Sequence, residues 1–409
     1  MTAARGFFIL HTYKFVHARI PPPIPAAPPM RVLILSSSTG GGHDMRARAF
    51  QAWAQQSPQF NLETQVHRPL ESGHGLYRFG VGFYNWIQRN APWLHHGYFN
   101  FLEVIKPCRS AGGLLGKKQF CATLETLRPD VLLSVHGSLN HGYFECARNV
   151  PGWERVRCVT YCGELFGGYG FSRNWVNPAA DLFIGAVDET AEAAARLGMP
   201  VEKTQVKGFL LRPAFYEPAL AATQRDEYIR AELNFDPGEF ILLLSASSRG
   251  ANNHIAFLEA LKRRGMNVQT VVLCGKSVET ETQVAQWKKQ NPHARVRVLP
   301  HHTNVAKLLR SVSAVVARPG TGATSEGIIS ECPLLLNCLG GSMPQEWITV
   351  KFCRKHRVAE TLHRPDDLAR TVAEWLRDPA RPAAIRQRMR EIRPAGHPRD
   401  ILRSVAGVA

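Results

Sequence analysis

Three glycines and a histidine close the segment "STGGGH", Ser38–His43. Glycine adopts backbone dihedrals closed to other residues and lets a ligand come close to the main chain. Imidazole titrates near neutrality, so His43 is a candidate general base. The run Val32-Leu33-Ile34-Leu35 before the corner reads as a strand buried on both faces. The residues after it read as a helix, whose first N–H groups and positive dipole end suit an anionic or oxygen-rich ligand. The spacing is not Gly-x-Gly-x-x-Gly and no Lys-Ser/Thr follows, which argues against a dinucleotide fingerprint or a P-loop. Taken alone, the corner is equally compatible with a tight turn carrying a solvent-facing histidine.

The elements that must position this corner recur along the chain. "DVLLSVHG" (Asp130–Gly137), "VRCVTYCGEL" (Val156–Leu165) and "ADLFIGAVDE" (Ala180–Glu189) read as strands. "TAEAAARLG" is a helix stopped by Gly198, and Val206–Phe215 is a short strand running into Arg-Pro. The pattern restarts at Phe240–Leu261 with strand, small-residue corner and helix. It continues through Val268–Lys276, Val296–Thr303, Val312–Ser330 and Cys332–Cys338. Strands alternating with helices predict parallel sheets, and two such series predict two doubly wound units. Ligands are then expected at the carboxyl ends of the strands, in the cleft between the units.

The chain has 409 residues, 44% of them hydrophobic and 20% charged, as in globular proteins. No apolar run approaches the roughly 18 residues of a membrane-spanning helix. Residues 1–29 end in the proline-rich "PPPIPAAPP" and are expected to be a disordered extension before Met30. The net charge of +17 points to nucleic acid, anionic lipid or a phosphorylated substrate. No zinc-finger, RNA-recognition or homeodomain pattern is visible, which argues against nucleic acid. The nine cysteines are scattered, without a C-x-x-C pair, and fit a reducing cytoplasm. Between Gly75 and Phe120 many aromatics are interleaved with Arg78, Arg89, Lys106, Arg109, Lys117 and Lys118. That stretch reads either as two helices packed on the core or as an interfacial surface, with aromatics at headgroup depth and cations on anionic lipid.

Four segments, in order, resemble monogalactosyldiacylglycerol synthases and processive diacylglycerol glucosyltransferases, and more distantly the GlcNAc transferase that completes lipid II. They are "STGGGH"; "LLSVHGSLNHG" (Leu132–Gly142), with "TYCGEL" and "SRNWVNP" behind it; "GFLLRPAF" (Gly208–Phe215); and "ARPGTGATSEGIISECPLLLN" (Ala317–Asn337). The resemblance runs from about Met30 to the C-terminus. It implies an α/β fold of GT-B type, two doubly wound Rossmann-like domains facing a central cleft, and an inverting transferase using a UDP-sugar. Galactosyl-type relatives carry Asp where this chain has Ser38, so His43 is the titratable group left within the motif. Gly41, Gly42, His136 and Glu164 are the implied acceptor-side residues, Glu164 standing after the strand where relatives have Thr-Asp.

On the donor side the resemblance implies that Glu326 holds the uridine ribose, since one carboxylate can accept from both hydroxyls. Gly320 and Thr321 open a helix suited to diphosphate, beside the basic Arg318. Gln345 and Glu346 stand where relatives contact sugar hydroxyls, although the usual Asn downstream is replaced by "WITVKF". Arg249, in "SASSRGANN", replaces a glycine-rich loop and is expected to meet the diphosphate. Thr303 and Asn304, in "HHTN", match segments edging the uracil pocket. No Asp-x-Asp occurs, which argues against a metal-bridged diphosphate; no cofactor and no metal are expected, and the leaving group falls to helix N-termini and Arg or Lys.

The expected organisation is 1–29 extension, 30–207 acceptor domain, 208–238 hinge and 239–409 donor domain. The expected activity is transfer of a hexose from a UDP-sugar to a lipid acceptor such as diacylglycerol, giving a β-glycolipid. The expected setting is peripheral, on an anionic membrane surface at the inner face of the cell membrane. A GlcNAc transferase to a polyprenyl-diphosphate acceptor, a sugar-nucleotide epimerase and a non-catalytic nucleotide- or lipid-binding homologue stay open as alternatives.

Overall fold

The structure, a computed structural model, describes residues 28–91, 94–105, 108–152, 155–245, 253–300 and 302–407. The expected extension over residues 1–29 falls almost wholly outside the described residues.

Two six-stranded sheets organise the chain. The first contains β1 (Met30–Leu35), β2 (Leu62–His67), β3 (Val131–Ser134), β4 (Arg157–Cys162), β5 (Leu182–Gly185) and β6 (Thr204–Val206). Its order is β2-β1-β3-β4-β5-β6. The second contains β7 (Ile241–Ser245), β8 (Gln269–Leu273), β9 (Val296–Leu299), β10 (Ala314–Ala317), β11 (Leu334–Asn337) and β12 (Ala359–Leu362). Its order is β12-β11-β10-β7-β8-β9, and every neighbouring pair in both sheets is parallel. Each sheet reverses its winding once, between β1 and β3 and between β7 and β10. The crevice beyond the carboxyl ends at such a reversal is where open α/β sheets take ligands.

Helices cover both faces, so the central strands are apolar at successive positions: Val32–Leu35, Ile241–Leu244 and Leu334–Leu336 are all buried. The outer strands β2 and β12 were not among the expected strands. "LETQVH" and "AETL" sit at sheet edges, are half polar and are only partly buried. The expected strand over Val206–Phe215 is instead the end of β6 followed by a departure from the sheet. Gly208 takes φ 82°, and Tyr161 Oη donates to Gly208 O (3.0 Å) while accepting from Leu210 N (2.8 Å). Phe209, Leu210, Leu211 and Phe215 then run through the apolar core that both sheets share.

The chain's end corrects the expectation that all of 239–409 belongs to the second unit. The helix Pro398–Ala406 packs back on the first, burying Ile401, Leu402 and Val405. Arg157 Nη1 donates to Val405 O (3.0 Å), and the His397 ring meets Trp53 edge-on at 4.8 Å. Among the described residues no helix is long and apolar enough to cross a membrane.

Candidate active site

The glycine corner follows β1, at the first sheet's reversal. Gly40 (φ 64°) and Gly41 (φ 83°) take the left-handed region, where an L side chain is strained, and Gly41 precedes the helix Gly42–Gln55. Gly42 has open space where a Cβ would stand. This turn aims His43 at the end of β3, where its Nδ1 lies 2.8 Å from Val135 O. A carbonyl only accepts, so Nδ1 carries the proton and Nε2 holds the lone pair. Burial, then the neighbouring His136 and Arg46, hold the His43 pKa well below the usual imidazole value. The result is a neutral imidazole with an unprotonated nitrogen, as a general base requires.

His136 stands beside it, ring centroids 4.3 Å apart, with a different assignment. Its Nδ1 accepts from Ser138 N (3.2 Å), so Nε2 carries the proton and donates to Thr39 Oγ1 (3.0 Å). Burial, followed by Arg46, lowers its pKa to about 4. With both nitrogens engaged, His136 braces the corner. Two carboxylates also serve the corner. Glu71 Oε1 accepts from Ser37 Oγ (3.0 Å) and Ser38 N (2.5 Å), bringing an acid to Ser38. Asp44 accepts from Ser36 Oγ (2.9 Å) and pairs with Arg68 (2.9 Å).

One arginine crosses the cleft. Arg46 is buried, donates to Gly163 O (3.1 Å), and donates to Thr321 Oγ1 in the second unit. A Cβ at Gly163 would lie 2.3 Å from Arg46 Nε, so any other residue there would displace the guanidinium from its path. The next residue, Glu164, is buried with Oε2 unpartnered among the described residues. Burial pushes its pKa up to about 7 against the pull of Arg46.

The second unit answers with the helix Thr321–Ile329, which follows β10 at the other reversal and begins after the extended Gly320. Its first turn faces the first unit closely: a Cβ at Gly322 would meet Met45 Cε at 2.6 Å. Glu326, further along, is partly buried; burial raises its pKa to about 7, with Arg212 opposing. Arg212 Nε is itself buried without a partner among the described residues.

Two of the expected donor-side residues engage each other. Arg318 and Glu346 hold each other: Nε donates to Oε1 (3.1 Å) and Nη2 to Oε2 (2.5 Å), with only 13% and 5% of the side chains exposed. Arg318 also donates to Leu339 O and Gly341 O (both 2.9 Å), and Glu346 accepts from Met343 N (2.9 Å). The pair fixes the loop that carries Gln345. Gln345 Nε2 donates across the cleft to Tyr84 Oη (2.9 Å). Asn304 is likewise a helix cap, accepting from Lys307 N (2.9 Å), and Thr303 is exposed. Arg249 lies outside the described residues.

The cleft therefore gathers His43, Glu164, Gly320, Thr321, Glu326 and Gln345. It adds Arg46, Glu71, Tyr84 and Arg212, which the sequence reading did not single out. Arg46 was the legible one, since it follows His43 by three positions on one helix and so shares its face. Among the described residues, no three His, Cys, Asp or Glu side chains come together to hold a metal ion.

No family model matches the chain. The monogalactosyldiacylglycerol synthase of Spinacia oleracea is 24% identical over 359 residues, covering 85% of this chain and 66% of that protein. A processive diacylglycerol beta-glucosyltransferase of Bacillus cytotoxicus is 25% identical over 222 residues, covering 54% of this chain and 53% of its own. The chain thus spans about two thirds of the spinach relative's length. Among solved structures, Acinetobacter baumannii MurG superposes with a TM-score of 0.60 at 14% identity, over 93% of this chain and 100% of that one. Arabidopsis thaliana UGT89C1 complexed with UDP-L-rhamnose gives 0.60 at 14%, over 93% and 99%. The chain is a GT-B protein, and its homologues are monogalactosyldiacylglycerol synthases and a processive diacylglycerol glucosyltransferase.

Proposed function

We propose that this protein is an inverting glycosyltransferase that moves a hexose from a UDP-sugar to the hydroxyl of a lipid acceptor of the diacylglycerol type. The observation that carries the reading is the His43 Nδ1–Val135 O bond, which leaves Nε2 basic at the corner facing the Thr321 helix. Nε2 takes the acceptor's hydroxyl proton as that oxygen bonds to the anomeric carbon. The bond from this carbon to the UDP oxygen breaks, and UDP departs with the electron pair. Attack from the opposite side inverts the centre and yields a β-glycoside. The first-turn N–H groups of the helix that starts at Thr321 and the Arg46 guanidinium meet the charge on the leaving diphosphate, and Glu326 accepts from the ribose hydroxyls.

The lipid class rests on the homologues and on an exposed apolar surface. On the helix Gly75–Asn90, Leu76 (60% exposed), Phe79 (67%), Phe83 and Trp86 (51%) share one face, and the Phe79, Phe83 and Trp86 rings stack in series. Phe101, Val104 and Ile105 extend the exposed apolar surface on the helix His95–Ile105. Apolar area of this kind, in a chain of charge +17, suits a monotopic seat on anionic lipid. The inner face of the cell membrane agrees with an odd set of nine scattered cysteines. The test is UDP release from UDP-glucose, UDP-galactose and UDP-GlcNAc with diacylglycerol in anionic vesicles, with the product's anomeric configuration read by NMR. A β-hexosyl lipid is expected; release with a polyprenyl-diphosphate acceptor alone, or none with any pair, would overturn the reading.

A further inference from the structure

Between the glycine corner and the Gln345 loop lies a group of buried polar atoms that the steps above do not use. Gln88 and Gln345 each present a buried Oε1 that accepts no hydrogen bond among the described residues. Tyr84 Oη accepts from Gln345 Nε2, which leaves its O–H to act as a donor. Tyr84 and Gln88 both reach Gly40. A Cβ built there would stand 3.7 Å from Tyr84 Oη and 3.8 Å from both amide atoms of Gln88. Gly40 N in turn donates to Asn85 Oδ1 (3.2 Å), so one helix, Gly75–Asn90, fixes both the glycine and its two polar neighbours.

A buried acceptor left without a donor costs about 1–3 kcal/mol. Two of them, on the two side chains that flank Tyr84 Oη, imply a partner that brings hydroxyl groups. A sugar hydroxyl both donates and accepts, which matches two orphan amide oxygens and one phenol donor. The donor-loop residue Gln345 forms one wall, and the Thr321 helix of the same unit is met from the first unit by Arg46. We propose that Tyr84 and Gln88, on the first unit, are specificity-determining residues that read hydroxyls of the transferred hexose. This inference rests on the UDP-hexose reading above. It makes hexose recognition a property of both units: Gln345 from one side, Tyr84 and Gln88 from the other.

The test compares UDP with UDP-glucose and UDP-galactose by calorimetry, without acceptor, on the full chain. Gln88→Leu keeps the side chain's size and removes its polar end; Tyr84→Phe removes one oxygen. In wild type, one UDP-hexose is expected to bind more tightly than UDP. Each variant should lose roughly five- to tenfold in affinity for that UDP-hexose, the worth of one hydrogen bond, while UDP affinity stays within twofold. The unchanged UDP affinity also reports that the variant is folded. Variants that keep the full UDP-hexose preference overturn the proposal, as does an equal loss of affinity for UDP and UDP-hexose in a folded variant. A wild-type protein that binds no UDP overturns the nucleotide-sugar reading itself, a separate and recognisable failure.

Discussion

Arg46, from the helix after the first glycine corner, donates to Thr321 Oγ1 at the first turn of the second unit's helix Thr321–Ile329. One buried guanidinium thus ties the base side of the cleft to the leaving-group side. Arg46→Lys keeps the charge but not the planar guanidinium, whose Nη2 donates to both Gly163 O and Thr321 Oγ1. It is expected to lower turnover by roughly 10²–10³-fold, as for loss of one preorganised donor to developing charge, with UDP affinity changed far less. Steady-state kinetics and UDP calorimetry separate the two. Equal losses in both would make Arg46 a ground-state contact only.

Glu326 carries a pH prediction. Its folded pKa is about 7, above an unfolded carboxyl near ~4.3. Between those values the folded chain binds a proton that the unfolded chain does not, so this group's contribution to stability falls as pH rises through the interval. Ribose hydroxyls donate to the ionised form, so bound UDP favours the charged state. Wild-type UDP affinity is expected to rise from pH 5.5 to 8 more steeply than that of Glu326→Gln, and Glu326→Ala should lose on the order of 1.5–3 kcal/mol at pH 8. Parallel pH curves for wild type and Glu326→Gln would remove the carboxylate from the nucleotide site.

The Arg318–Glu346 pair is nearly sealed from water. Removing one partner strands the other charge, so Glu346→Ala is expected to cost about 3–5 kcal/mol in urea unfolding. Arg318→Met together with Glu346→Leu should recover most of it. A single variant as stable as wild type would mean that the pair does not hold the loop.

The apolar surface predicts salt-sensitive membrane binding. Sedimentation with anionic vesicles should weaken as salt rises, since exposed charges are screened, and should weaken further in a Lys117→Glu, Lys118→Glu variant. Phe79→Ala with Trp86→Ala should reduce binding at every salt concentration, because those rings are 67% and 51% exposed. Equal sedimentation with neutral and anionic vesicles would exclude the electrostatic part.

Much of this architecture was legible in the sequence because buried parallel strands need unbroken apolar runs. "VLIL", "ILLL" and "LLL" announce β1, β7 and β11 without ambiguity. The edge strands β2 and β12 gave no such signal, since an edge with one partner tolerates Glu, Gln and Thr. Site residues divide in the same way. His43 is local to a glycine corner that its own residues announce, and Gly320 and Thr321 are local to a helix start that the family resemblance points out. The Arg318–Glu346 clasp and the Tyr84–Gln345 contact join residues distant in the chain, and no spacing rule reveals such a pairing. A basic residue beside a glycine turn therefore read as a diphosphate ligand, when its charge is spent on a carboxylate of the next loop.

The central claim is that His43, held by Val135 O with Nε2 unprotonated, deprotonates the acceptor. It is tested most directly by the pH–rate profile of hexose transfer in His43→Ala against wild type, with Glu164→Gln beside it. Turnover is expected to fall roughly 10²–10⁴-fold in His43→Ala, with the acidic limb of the profile gone and UDP affinity unchanged, because uridine is assigned to the other unit. Near-normal turnover in His43→Ala, alongside a dead Glu164→Gln, would contradict the account and transfer the base to the carboxylate whose pKa burial raises to about 7.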